Sequence, residues 1–74
     1  MVFDHSKLRS LRKKNKISLS EAAEVIDKNK STLLKYENGK ANISVDDFVA
    51  LCSLYEAAPE VFFLERVGED RDNN

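Results

Sequence analysis

The chain has one cysteine, one proline, two glycines, one histidine and no tryptophan among its 74 residues. A single cysteine closes no internal disulfide, whereas small secreted domains rely on several. His5 stands alone, with no second histidine and no cysteine at ligand spacing, so no metal site is expected. No apolar run approaches the ~20 residues needed to cross a bilayer, and the N-terminus lacks the apolar core of a signal peptide. A soluble protein of a reducing cytoplasm, away from membranes, is the resulting expectation. The chemistry of catalysis is missing too. There is no Ser/His/Asp set, no paired-carboxylate cleft and no phosphate-cradling glycine loop, so neither an enzyme nor a cofactor or small-molecule substrate is expected.

What is present is a hydrophobic fraction of 42%, enough for one small globular domain, although 74 residues is near the lower limit for a core without staples. The stretch Ser18 to Gly39 organises it. Ser18 and Glu21 form a Ser-x-x-Glu capping box, and Ala22, Ala23, Val25 and Ile26 follow at helical spacing. Asp27-Lys28-Asn29 breaks that pattern, and Asn29 is a good cap for a second helix running from Lys30 to Asn38. Gly39 suits the left-handed position just beyond it. Two short helices joined by a tight turn, with Lys30, Ser31, Leu34 and Lys35 on the outer face of the second, predict a helix-turn-helix.

The flanks supply the remaining helices. Asp4 or Ser6 caps a first helix to about Asn15, with Leu8 and Leu11 inward and lysines around them; Met1-Val2-Phe3 is a short tail. Ile43 plugs the core, and Ser44 opens a helix with Asp46 and Asp47 in its first turn. Cys52 lies in that helix's apolar stripe as a core residue. Pro59 suits the first position of a last short helix. The four apolar residues Val61-Phe62-Phe63-Leu64 exceed what one helix face buries, so Val61, Phe63, Leu64 and Val67 are the candidate dimer surface. The expected architecture is all-α: a compact five-helix domain over residues 1–67, with the helix-turn-helix as second and third helices, and a flexible acidic tail over 68–74.

Net charge is −1, which alone argues against a polyanion as partner. Its distribution reverses that reading. Residues 1–40 hold ten Lys/Arg against five Asp/Glu, and residues 41–74 hold two against eight. A basic half that contains the helix-turn-helix can face nucleic acid while the acidic half points away.

Leu11-Arg12, Ser18, Ala23, Ser31-Thr32-Leu33, Tyr36-Glu37-Asn38-Gly39 and Ile43-Ser44, in that order, resemble the lambda-repressor and Cro type of helix-turn-helix, over about residues 5 to 65. The chain departs from the family pattern at Leu19, where glutamine is usual, at Ala22, where leucine is common, and at Asp27 and Lys28, which replace a glycine and an apolar turn residue. The resemblance implies a recognition helix in the major groove of double-stranded DNA, with Lys30, Ser31, Leu34 and Lys35 towards the bases. It implies phosphate contacts from Ser18, Leu19, Arg12, Asn38, Lys40 and Asn42, and a scaffold ion pair between Arg12 and Glu37.

A monomer of this size engages few phosphates, so a homodimer on a palindromic operator is expected, its recognition helices about 34 Å apart. The implied function is a transcriptional regulator, with a repressor as the favoured sign. A phage or mobile-element repressor, a restriction–modification controller and an antitoxin remain equally open. The rival reading is a protein-interaction module that reuses the fold and binds a protein partner. Leu19, Leu34 and the acidic second half motivate it.

Overall fold

The computed structural model describes residues 2–64. Strand β1 (Val2–Phe3) leads into four α-helices: α1 (Ser6–Lys14), α2 (Leu19–Val25), α3 (Lys30–Glu37) and α4 (Val45–Leu54). A 3-10 turn (Pro59–Phe62) and strand β2 (Phe63–Leu64) follow. The helices pack around Leu8, Leu33, Leu51, Tyr55 and Phe62, all nearly inaccessible to water, with Ala22, Ala23, Ile26, Tyr36 and Cys52 completing the core.

The helix starts are written locally. In α2 the Glu21 amide donates to Ser18 Oγ at 3.0 Å while the Ser18 amide donates to Glu21 Oε1 at 2.9 Å, which completes the capping box. Asn29 Oδ1 accepts from the Thr32 amide at the head of α3, and Ser44 Oγ from the Asp47 amide at the head of α4. Helix α1 differs: its cap position is His5, which makes no side-chain cap bond. Asp4 Oδ1 instead accepts from the Ser6 amide.

The ends follow one rule throughout. Each helix is closed by a left-handed residue whose amide, with that of the next residue, bonds back to the last turn. That residue is Lys16, Asp27, Gly39 or Glu56, and glycine fills the place once.

The expected fifth helix is absent, and the fold is not purely helical. Proline starts a helix well at Pro59, but the turn stops after four residues. Phe63 and Leu64 then extend to pair antiparallel with β1, Phe3 opposite Phe63 and Val2 opposite Leu64. The cause lies in side-chain demand. Phe62 is fully buried while Phe63 is more than a third exposed, and an extended backbone sends successive side chains to opposite faces. The N-terminal residues that read as a tail supply the strand partner. The Asp4 amide also donates to the Phe62 carbonyl at 2.6 Å. All four phenylalanines meet here: Phe3 stacks on Phe62 at 5.8 Å between ring centroids, and Phe48 meets Phe62 edge-on at 5.1 Å. Phe63 closes the group against Phe3 at 5.6 Å. Val67 and the expected tail, 68–74, lie outside the described residues.

Candidate nucleic-acid interface

Helices α2 and α3 pack on one another across the turn Ile26–Asn29, and α1 and α4 brace them from either side. Along α3 the buried residues are Leu33, Tyr36 and Glu37. Lys30, Ser31, Leu34 and Lys35 occupy the opposite arc, about 140° wide at ~100° per residue, and all four are exposed. Leu34 is 37% exposed, an apolar contact set between two cations. The Ser31 hydroxyl donates to Asn29 Oδ1 at 2.9 Å, which leaves its oxygen as an acceptor. Neither Lys30 nor Lys35 forms an ion pair among the described residues.

The residues expected at phosphates divide into two groups. Ser18, Asn38, Lys40 and Asn42 are exposed around the ends of α2 and α3. Leu19 and Arg12 are not. The partly buried Leu19 side chain packs against the core, which leaves its backbone amide, the first of α2, as the group of this residue suited to a phosphate. Arg12 is 8% exposed and occupied within the protein. Its Nε donates to Glu37 Oε2 at 2.7 Å, its Nη2 to Glu37 Oε1 at 3.2 Å, and its Nη1 to the Ile17 carbonyl at 3.2 Å. Hydrogen bonding to Glu37, against the opposing effect of burial, raises the guanidinium pKa further above its already high value. Arg9 approaches the same carboxylate at 3.8 Å from the solvent side. The pair ties α1 to the C-terminal end of α3 at a fixed, two-point geometry.

A second buried carboxylate has no counterpart in the sequence reading. Asp47, in the first turn of α4, accepts at Oδ2 from Lys28 Nζ and from Tyr36 Oη, both at 3.0 Å. Burial pushes its carboxyl pKa up, but the hydrogen bonds from Lys28 and Tyr36 outweigh that and hold it below the usual range. Two signals point this way: a lysine where the family turn carries an apolar residue, and a tyrosine whose hydroxyl needs a partner once its ring is buried.

The remaining surface is apolar in patches. Val61 is 42%, Phe63 37% and Leu64 49% exposed, at the end of the molecule formed by the two strands. No helix among the described residues is long and apolar enough to cross a membrane. No group of three or more metal-ligating side chains occurs among them.

The arrangement is similar to that of a solved structure, the restriction-modification controller protein C.AhdI from Aeromonas hydrophila. The likeness has a TM-score of 0.71 at 24% identity and covers 80% of this chain and 86% of that one. It is a likeness of fold. No significant match was found among curated protein sequences. The helix-turn-helix family model matches residues 8–62, from the first core leucine of α1 to the buried Phe62. With that span matched, the chain belongs to the lambda-repressor/Cro-type helix-turn-helix family of DNA-binding transcriptional regulators.

Proposed function

We propose that the protein is a repressor that binds a palindromic operator as a homodimer, with α3 of each copy in the major groove. The observation that carries this reading is the outer arc of α3. Lys30, Ser31, Leu34 and Lys35 present cations, a hydroxyl and an aliphatic contact together, with no ion-pair partner for either lysine among the described residues. Lysine donates to guanine O6 and N7, the Ser31 oxygen, its proton given to Asn29, accepts from a base amino group, and leucine meets the thymine methyl. Ser18, Asn38, Lys40 and Asn42, with the Leu19 amide, flank that arc where phosphates would pass and fix the register. Arg12 serves with Glu37 as scaffold rather than at the backbone.

The exposed Val61, Phe63 and Leu64 support the two-fold contact, because self-complementary apolar patches are what such interfaces bury. The test is direct. Lys30→Ala and Lys35→Ala weaken binding to DNA selected from a random pool by about tenfold each, with the melting temperature unchanged. Unaltered affinity in both variants sinks the assignment of α3. Sedimentation of the free protein as a monomer at all accessible concentrations sinks the preformed dimer.

One observation favours a partner protein as the second reading. Val45 and Val49, one turn apart on α4, are 76% and 57% exposed. Affinity for DNA that is absent at low salt favours that reading over the first.

A further inference from the structure

Lys28 lies in the turn, two residues before α3 begins, within the basic half of the chain. A lysine so placed reads by default as a phosphate contact. The geometry gives it other work. Its Nζ lies 3.0 Å from Asp47 Oδ2, and Tyr36 Oη donates to that same oxygen at 3.0 Å. Asp47 is 6% exposed and anchored in turn, since its amide donates to Ser44 Oγ at 3.1 Å. A single carboxylate on α4 therefore gathers the turn before the recognition helix and a residue in that helix's last turn. The Arg12–Glu37 pair fixes α3 to α1, and the Asp47 centre fixes it to α4.

We infer that Lys28 is a positioning residue for DNA recognition, setting the seat of α3 through Asp47 and Tyr36 rather than by touching DNA itself. The inference rests on the reading of α3 as the recognition helix. Its physics is the asymmetry of buried charge. Asp47 is withdrawn from water and keeps its charge because Lys28 and Tyr36 donate to it, so removing the cation leaves the carboxylate with neutral partners alone. The carboxylate and Tyr36 then rearrange to regain solvation, and α3 moves with Tyr36. Base contacts, which need correct placement, suffer first; phosphate contacts tolerate small shifts.

The experiment uses two duplexes, one enriched by the wild-type protein from a random pool and one of random sequence, titrated across a salt series. The variants are Lys28→Met, Asp47→Asn and the two combined. Lys28→Met weakens binding to the enriched duplex about fivefold. It leaves random-duplex affinity and the slope of log affinity against log salt unchanged, and it adds nothing in the Asp47→Asn background. A direct phosphate contact gives the opposite pattern: equal loss on both duplexes, a slope shallower by about 0.9, and an undiminished effect when Asp47 is already asparagine. That pattern, or no change on either duplex, overturns the inference. Should Asp47→Asn fail to fold, the two-duplex comparison and the salt slope of Lys28→Met still decide. Wild-type protein that retards neither duplex overturns the DNA-binding reading itself, and does so before any variant is made.

Discussion

Arg12 of α1 and Glu37, the last residue of α3, share two hydrogen bonds of 2.7 and 3.2 Å, with 10% and 0% of their side chains exposed. The pair joins α1 to α3 across 25 residues of sequence. Its net contribution over an apolar pair is small, but breaking it strands a buried guanidinium at a loss of about 3–5 kcal/mol. Glu37→Ala is expected to lower the melting temperature by on the order of 15 °C. Glu37→Leu combined with Arg12→Met should recover much of the loss. Thermal denaturation of the three proteins checks this, and a double variant no better than Glu37→Ala alone would refute it.

The Tyr55 hydroxyl is buried and has no hydrogen-bond partner among the described residues. Burial, then the nearby Glu37 charge, pushes its pKa up to about 12, with Arg12 opposing. In the unfolded chain a tyrosine ionises near 10. Stability from this group is therefore complete below pH ~10 and is lost as pH rises towards ~12, at about 1.4 kcal/mol per unit. Tyr36, raised by burial and by its bond to Asp47, and Lys28, raised by its own bond to Asp47, act with the same sign. Tyr55→Phe should be neutral or stabilising by up to about 1.5 kcal/mol at pH 7, and it should reduce, not abolish, the alkaline loss. Denaturant midpoints at pH 7 and pH 11 provide the measurement.

Three helices end in left-handed residues that carry a side chain: Lys16 at φ 59°, Asp27 at 57° and Glu56 at 54°. That conformation costs a non-glycine residue roughly 1–2 kcal/mol, less for aspartate. At Glu56 the amide donates to the Ser53 carbonyl at 3.2 Å and the Ala57 amide to the Cys52 carbonyl at 3.0 Å, bonds that any residue retains. Glu56→Gly is thus expected to stabilise by about 0.5–1 kcal/mol, after the unfolded-state entropy of glycine is deducted. Asp27→Gly should gain less. Paired melting curves test the ranking, which fails if Asp27→Gly gains more.

The starts of α2, α3 and α4 were legible because Ser18, Asn29 and Ser44 each bond an amide three residues on, so the signal and its consequence share one window of sequence. The exposed arc of α3 was legible for the same reason, through helical periodicity. Contacts between distant segments were not. The Lys28–Asp47 bond spans 19 residues and the Tyr36–Asp47 bond 11, and each member alone reads as a solvated lysine, a dipole-friendly acid or a core ring. The pairing of Val2–Phe3 with Phe63–Leu64 joins the two ends of the described chain, and two-residue strands carry no period to detect. The left-handed ends at Lys16 and Glu56 were hidden because glycine, the usual marker, is missing there. Arg12–Glu37 was reachable only through the family resemblance.

Gly39 ends α3 at φ +75°, and a Cβ built there would lie 2.6 Å from both Cε1 and Nε2 of His5. Two separate penalties therefore oppose any side chain: the left-handed backbone, worth about 1–2 kcal/mol, and displacement of the imidazole. His5 occupies the cap position of α1 without a side-chain cap bond, so its ring can swing aside at modest cost. Gly39→Ala should destabilise by about 1.5–3 kcal/mol. Adding His5→Ala to Gly39→Ala should recover the steric part and leave the backbone part. A double-mutant cycle separates them: a coupling near zero would show that His5 does not press on Gly39. Lys40 and Asn42 lie just beyond this junction, so the same variants should weaken DNA binding in proportion to the backbone penalty, with His5→Ala alone nearly silent.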